Sequence, residues 1–286
     1  MSQNYAASHL KVLDERFHTE SKTDLIVNKG IRLDFNGKKS VTIYNVDVVE
    51  ESNYTRSGTN RFGTLVELGT GEQTFTLSQD KSFTFTVDRG NLEDSMFAQE
   101  VAKSVKRQVR EVSVPTTDKY RLSTIAAYAV AEGQGAIDGD AVALTASNTY
   151  KSLLDQNDAM TDAEVPEEGR VAFVTAATYS LLKRDAEFVR DCDTAYKDLK
   201  KGIFGKVDGI TLVKVPSSYM PANIGFVLVH EKVLVAPTKF DMVRVLTDVQ
   251  GIHGAVAEGR RYYDAFIPEN KGVAIRVHQL ADLSGS

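Results

Sequence analysis

Cysteine occurs once in the 286 residues, at Cys192, which excludes an intramolecular disulfide scaffold and a cysteine-cluster metal site and fits a reducing compartment. Proline is missing from the first 114 residues and then recurs from Pro115 onward, so the N-terminal part is not an ordinary loop-rich domain. No apolar run approaches the roughly 18 residues of a membrane-spanning helix, and the opening MSQNYAASHLKVLDERFH lacks a signal-peptide apolar region. Neither membrane insertion nor export by that route is expected. Basic charge is not in excess: Lys+Arg number 34 against Asp+Glu 39, a net charge of -5, which argues against sequence-specific DNA binding. What is present is 42% hydrophobic and 26% charged residues, the balance of a globular chain. At this length folding buries about 75% of the unfolded surface, enough for one large domain or two small ones.

Residues 1–30 carry four acidic and four basic side chains but only scattered apolar ones (Leu10, Val12, Leu13, Phe17), and read as an arm lying on something else. Residues 40–49 alternate in two phases, Val41 and Ile43, then Val46 and Val48, which predicts a strand with a bulge or twist near Tyr44. Residues 73–78 and 82–87 alternate Phe, Leu and Val with Thr and Ser and predict two half-buried strands. Between them and the first strand, residues 51–72 form a Gly-, Thr-, Asn- and Arg-rich stretch without a periodic apolar face. A loop that long inside a compact domain is usually functional or an interaction element.

Asn91 and Asp94 supply a capping-box-like start for an amphipathic helix carrying Leu92, Met96, Val101, Val105, Val109 and Val112. Pro115 is expected to stop it, with a second helix over Asp118–Glu132. Further helices are predicted at 146–157 and 176–190 around the strand RVAFVT (170–175). Strands then dominate: a hairpin at Asp208-Gly209, GFVLVH, KVLVAP, FDMVRVLT, and RRYYDAFIP and GVAIRVH joined by a tight turn at Glu269–Gly272. The fold class is α+β.

No catalytic constellation emerges. His9, His18, His230, His253 and His278 lack metal-ligand spacing, and His230, ending an apolar strand, reads as a satisfied edge or interface residue. Cys192 lies between Asp191 and Asp193, which disfavour its thiolate. The Gly-rich pieces at 69–72 and 132–140 lack the lysine and the strand-to-helix setting of a phosphate loop and read as turns. The acid pairs Glu50-Glu51 and Glu167-Glu168 read as solvated, and no cofactor is expected. The arm, the polar loop and a strand pair that forms at most a ribbon instead lack a core of their own, which neighbouring subunits could supply. A monomer with a flexible tail and a long loop remains open on that argument alone.

Seven collinear stretches look familiar: FHTESKTDLIVNKG in the arm, NYTRSGTNRFGT in the loop, FTLSQDKSFTFTVDRGNLEDS entering the long helix, VPTTDKYRLSTIA after it, GKVDGITLVKVPSSYM and VLVHEKVLVAPTKFD in the body, and AEGRRYYDAFIPENKGVAIRVH near the end. Together they resemble the major capsid proteins of tailed bacteriophages with the HK97-type fold, over nearly the whole chain. The resemblance implies a structural protein, not an enzyme. It would assemble through hexamers and pentamers into an icosahedral head, in the host cytoplasm, enclosing double-stranded DNA that it contacts nonspecifically. It further implies an N-terminal arm (1–30), an extended loop with flanking strands (31–90), a peripheral domain with a spine helix (91–135), an axial domain (136–250) and returning strands of the peripheral domain (251–286).

On that basis residues 50–72 would lie over an adjacent subunit, with Arg56 and Arg61 the candidates for pairing with its carboxylates. A portal protein is an implied partner. Because the arm starts almost at Met1, a separate scaffolding protein is the simpler expectation than a fused one. Lys38, Lys39 and Asn270 are of the types that form isopeptide cross-links in some members. Type alone supplies neither the carboxylate nor the geometry, so cementing is expected from buried area and polar contacts. The alternatives are an encapsulin-like bacterial compartment shell and a monomeric α+β enzyme without a recognisable motif.

Overall fold

The computed structural model describes residues 21–31, 33–36, 39–46, 48–88, 97–131, 143–185, 203–247, 249–251 and 254–280. The chain divides into two compact units: Gly30–Ser78 forms one, and the rest of the described chain forms the other.

In the smaller unit, strands β1 (Asp34–Asn36), β2 (Ser40–Val46) and β3 (Thr70–Thr76) make an antiparallel sheet in that order. β2 and β3 stay in unbroken register from Ser40 opposite Thr76 to Val46 opposite Thr70. The bulge expected near Tyr44 is therefore absent: β2 ends at Val46, and Val48 and Val49 beyond it are exposed. The change of phase marks a strand end. Thr42 and Thr74, directly opposite, share a 3.1 Å hydroxyl contact, a cross-strand pair of the type that favours one register. β3 begins at Thr70 and takes in the Thr-Gly-Glu that the sequence reads as part of a turn.

The larger unit is organised by a helical rod from Phe97 to Ala131, about 50 Å long at the usual rise per residue. It comprises α1 (Phe97–Gln108), a π turn (Val109–Ser113) and α2 (Val114–Ala131). Pro115 does not stop it. The π turn places the proline where the hydrogen-bond ladder is already changing its step, so the missing N–H and the ring are accommodated. The hydroxyls of Thr116 and Thr117 donate to the carbonyls of Val112 (2.7 Å) and Ser113 (3.0 Å). Buried positions run Val101, Val105, Val109, then Val114, Asp118 and Leu122: one five-residue step falls on the π turn and carries the buried stripe past it. Val112, expected on that stripe, is exposed.

Each half of the rod covers a different sheet. α1 packs Val101, Val105 and Val109 with Phe83, Phe85, Val87, Val243, Ala255 and Ala257 of a three-stranded antiparallel sheet. That sheet has the order β4 (Gln79–Asp88), β10 (Gly254–Tyr263), β9 (Thr238–Leu246). β3 and β4 thus belong to different sheets and do not form a ribbon. Gly259 faces Phe83 across the β4–β10 ladder, and a Cβ there would run into the Phe83 ring. Gly259→Val is expected to destabilise the chain by about 1–3 kcal/mol through overpacking, readable as a lower midpoint in urea unfolding.

α2 contributes Leu122, Ile125, Ala126 and Ala129 to the main core, built on a five-stranded sheet of order β11 (Ile275–Gln279), β8 (Ile224–His230), β5 (Arg170–Thr175), β7 (Ile210–Val215), β6 (Ile203–Val207). β5 is buried from Arg170 to Val174, pairs parallel with β7 and antiparallel with β8, and matches the sequence expectation residue for residue. The β6–β7 turn has Asp208 at φ 46° and Gly209 at φ 76°, the mirror-image hairpin turn that Asp-Gly favours. α3 (Thr149–Asp162) runs one turn later than predicted, and α4 (Ala176–Leu182) starts on the capping hydroxyl of Thr175, which accepts from Thr178 N–H at 3.2 Å.

Three further expectations change. KVLVAP forms isolated bridges from Leu234 to Val27 and from Val235 to Phe266 instead of a strand. β10 starts at Gly254, earlier than the 260 expected, and Glu269–Ala274 is a 3₁₀ helix, so β10 and β11 enter separate sheets and form no hairpin. The base of the arm is part of the core: Thr23–Ile26 is a 3₁₀ turn with Ile26 fully buried, and Asn28 N–H donates to Leu234 O at 2.7 Å. The predicted helix start at Asn91 lies outside the described residues.

Candidate functional site

Residues 48–69 of the smaller unit contain no strand, yet local contacts give their tip a defined shape. Thr55 N–H donates to Arg61 O (3.0 Å), Gly63 N–H to Asn60 O (3.2 Å) and Ser52 Oγ to Phe62 O (2.8 Å). Gly58 (φ 99°) and Gly63 (φ 87°) supply backbone conformations that other residues rarely adopt. The Tyr54 and Phe62 rings meet edge to face at 5.0 Å, an arrangement the ring quadrupoles favour.

Both sequence-selected arginines lie on this tip and are exposed. Arg61 turns its Nε onto Gly58 O at 3.2 Å, whereas Arg56 makes no hydrogen bond or ion pair among the described residues. The larger feature is apolar, and charge-based reasoning missed it. Phe62 is 86% exposed and Leu65 99%, with Val66 and Leu68 also outside. Their signal was the TLVEL run itself, apolar residues with no helix or strand period to bury them. Contiguous exposed apolar side chains rimmed by polar ones mark an interaction surface.

A second cluster lies in the larger unit, where polar residues follow the stripe of the rod inward. The buried Asp118 carboxylate accepts from Ser21 Oγ (2.5 Å), Lys22 N–H (3.0 Å) and Thr23 Oγ1 (2.6 Å). Arg121 donates to Thr23 Oγ1 (3.1 Å), Arg261 of β10 to Thr117 Oγ1 (2.5 Å) and Tyr120 to Asp264 (2.5 Å). Burial lowers the pKa of both arginines, opposed by Asp118 at Arg121 and by Asp241 at Arg261. This seam fastens the arm base and β10 to the rod, and its chemistry is structural: every group is engaged in holding another.

The remaining candidates carry no reaction. His230 accepts from Lys232 N–H at Nδ1 (3.2 Å), so Nε2, 3.0 Å from Glu168 O, is the donor, and burial lowers its pKa; it is a satisfied strand-end residue. Arg170, 1% exposed, binds five acceptors at or just beyond the C-terminal end of α3, among them Asn157 O, Val165 O and Pro166 O, where a cation meets the negative end of the helix. Glu50, Glu51, Glu167 and Glu168 are exposed, as are Lys39 and Asn270. Cys192, His9, His18, His253, Lys38 and residues 132–140 lie outside the described residues. Among the described residues no group of three or more His, Cys, Asp or Glu is placed to hold a metal, and no helix is long and apolar enough to cross a membrane. An open groove of about 280 Å³ beside α1 is lined by Phe85, Ser104, Arg107, Gln108, Glu111 and Val112, with the one carboxylate tied to Arg107 at 3.0 Å.

No protein-family model matches the chain, and no curated protein does. Solved structures match it over nearly its full length. The capsid of Cyanophage P-SCSP1u is 14% identical over 86% of this chain and 85% of that one, with a TM-score of 0.65. The head of Helicobacter pylori bacteriophage KHP40 is 11% identical over 91% and 90%, with a TM-score of 0.64. A virus-like particle from Pyrococcus furiosus is 12% identical over 97% and 100%, with a TM-score of 0.57. The α+β fold is that of tailed-bacteriophage capsid proteins, and the archaeal particle shares it.

Proposed function

We propose that the chain is a major capsid protein of a tailed bacteriophage, a structural subunit that self-assembles into a shell. The observation that carries this reading is the match to phage capsid structures along almost the whole chain, since a fold shared end to end brings the same elements to the same places. In the HK97-type scheme the rod at 97–131 is the spine helix of the peripheral domain, the body around the five-stranded sheet is the axial domain, and 31–90 is the extended loop with its strands. Hexamers and pentamers close an icosahedral head around double-stranded DNA, aided by a separate scaffolding protein and a portal, in the host cytoplasm. The loop at 50–72 covers an adjacent subunit, with its apolar residues buried there and Arg56 and Arg61 reaching carboxylates.

Negative-stain electron microscopy and light scattering of the purified protein, expressed with and without its neighbouring genes, test the reading. Shells, tubes or capsomers are expected. A folded monomer under every assembly condition would sink it. The virus-like particle from Pyrococcus furiosus favours a second reading, an encapsulin-like compartment. Shells holding nuclease-protected DNA support the phage head, and shells holding only protein cargo support the compartment.

A further inference from the structure

Four lysines from separate segments of the larger unit gather around two tyrosine rings. Lys183, just past α4, and Lys214 of β7 place their ammonium groups 5.1 and 5.6 Å from the centroid of the Tyr179 ring. Lys22, at the base of the arm, donates from Nζ to Lys214 O at 2.7 Å. Lys119 lies 5.6 Å over the Tyr219 ring, next in sequence to Asp118, whose carboxylate holds the Lys22 backbone. Burial lowers the Lys22 pKa, the Asp118 charge opposes this, and the Lys214 charge adds to it, so the ammonium groups are close enough to repel. Lys119 and Lys183 are exposed and, among the described residues, make no ion pair; aromatic faces hold them instead.

Concentrated positive charge stands out on a chain whose net charge is -5, because the rest of its surface repels a polyanion and leaves this patch as the point of approach. Lysines act as point charges and impose no planar pairing, which suits a phosphate backbone presented in any sequence and register. We propose that this lysine–tyrosine patch is where the chain touches nucleic acid, taking the phosphates of duplex DNA without reading bases. The choice of polyanion rests on the phage-head reading above. The few charges keep the contact weak, so DNA can be packed against the surface and still leave it.

The test measures binding of the full chain to a short labelled duplex by fluorescence anisotropy, across about 50 to 200 mM salt. Lys119→Gln with Lys183→Gln is expected to flatten the slope of log affinity against log salt by about 1.8 for two lost phosphate contacts, and to weaken binding about tenfold or more at low salt. Lys39→Gln with Lys232→Gln makes the same change in net charge elsewhere and is expected to bind as the parent does. Equal loss in both pairs, no loss in either, no binding by the parent chain, or polyglutamate competing as well as DNA would each overturn the assignment. Light scattering of the same proteins keeps the two readings apart. Normal shells with an unaltered DNA slope end the patch proposal alone, and a parent that never assembles ends the shell reading while the slope comparison still stands.

Discussion

Phe62→Ser combined with Leu65→Ser is expected to leave the chain folded and to raise the concentration needed for shell assembly by about a hundredfold or more. Both side chains stand in water in the single chain, so removing them takes no packing from it, and its thermal unfolding should not move. If the loop is buried on a neighbour, each loses about 1.5–3 kcal/mol of burial there. Summed over two side chains, that is about 3–6 kcal/mol per loop, where each 1.4 kcal/mol is a factor of ten. Arg56→Ala should have a smaller effect, about 1–3 kcal/mol, the range for a hydrogen bond to a charged group. Light scattering against protein concentration, with electron microscopy of the products, reads both. Assembly of the double variant at the parent's concentration would mean that the loop stays in solvent.

The opposite pattern is expected at Asp118. Replacing it with Ala strips three donors of their acceptor and leaves Arg121 buried beside an uncompensated gap. Breaking one side of a buried charged cluster costs about 3–5 kcal/mol. Urea unfolding of the unassembled chain should show a lower midpoint at an unchanged slope, because the cluster holds the arm base and rod in the folded state without altering how much surface unfolding exposes. A loss under about 1 kcal/mol would show that the seam is replaceable by water. Asp118→Asn, which keeps the shape and two acceptor lone pairs, should fall between.

Elements whose partners are close in sequence were legible from it. The strand at 170–175 and the Asp208-Gly209 turn appear where expected, since a continuous apolar run and a left-handed dipeptide are local properties. The rod misled because Pro115 carries a strong local rule, and the π turn that relaxes it depends on two sheets pulling the helix's two halves into register. The five-residue step from Val109 to Val114 was the visible trace. The seam could not be read ahead: Ser21, Asp118 and Arg261 are ordinary polar residues until the fold joins them. At the loop, Arg56 and Arg61 drew the eye as charges, while Phe62 and Leu65 beside them have no periodicity by which a core or an interface could be recognised.

The pairing of β4 with β10 has a consequence for the chain as it is made. Phe85 and Ala257, opposite each other in that ladder, are separated by roughly 170 residues, about ten to thirty-five seconds of synthesis. Until β10 leaves the ribosome, the apolar face of α1 has only one strand of its sheet to cover. The sheet β1–β2–β3, by contrast, closes within a short stretch that emerges early. A nascent chain therefore presents its interaction loop long before its body is finished, and premature association on polysomes is the hazard that such a topology carries.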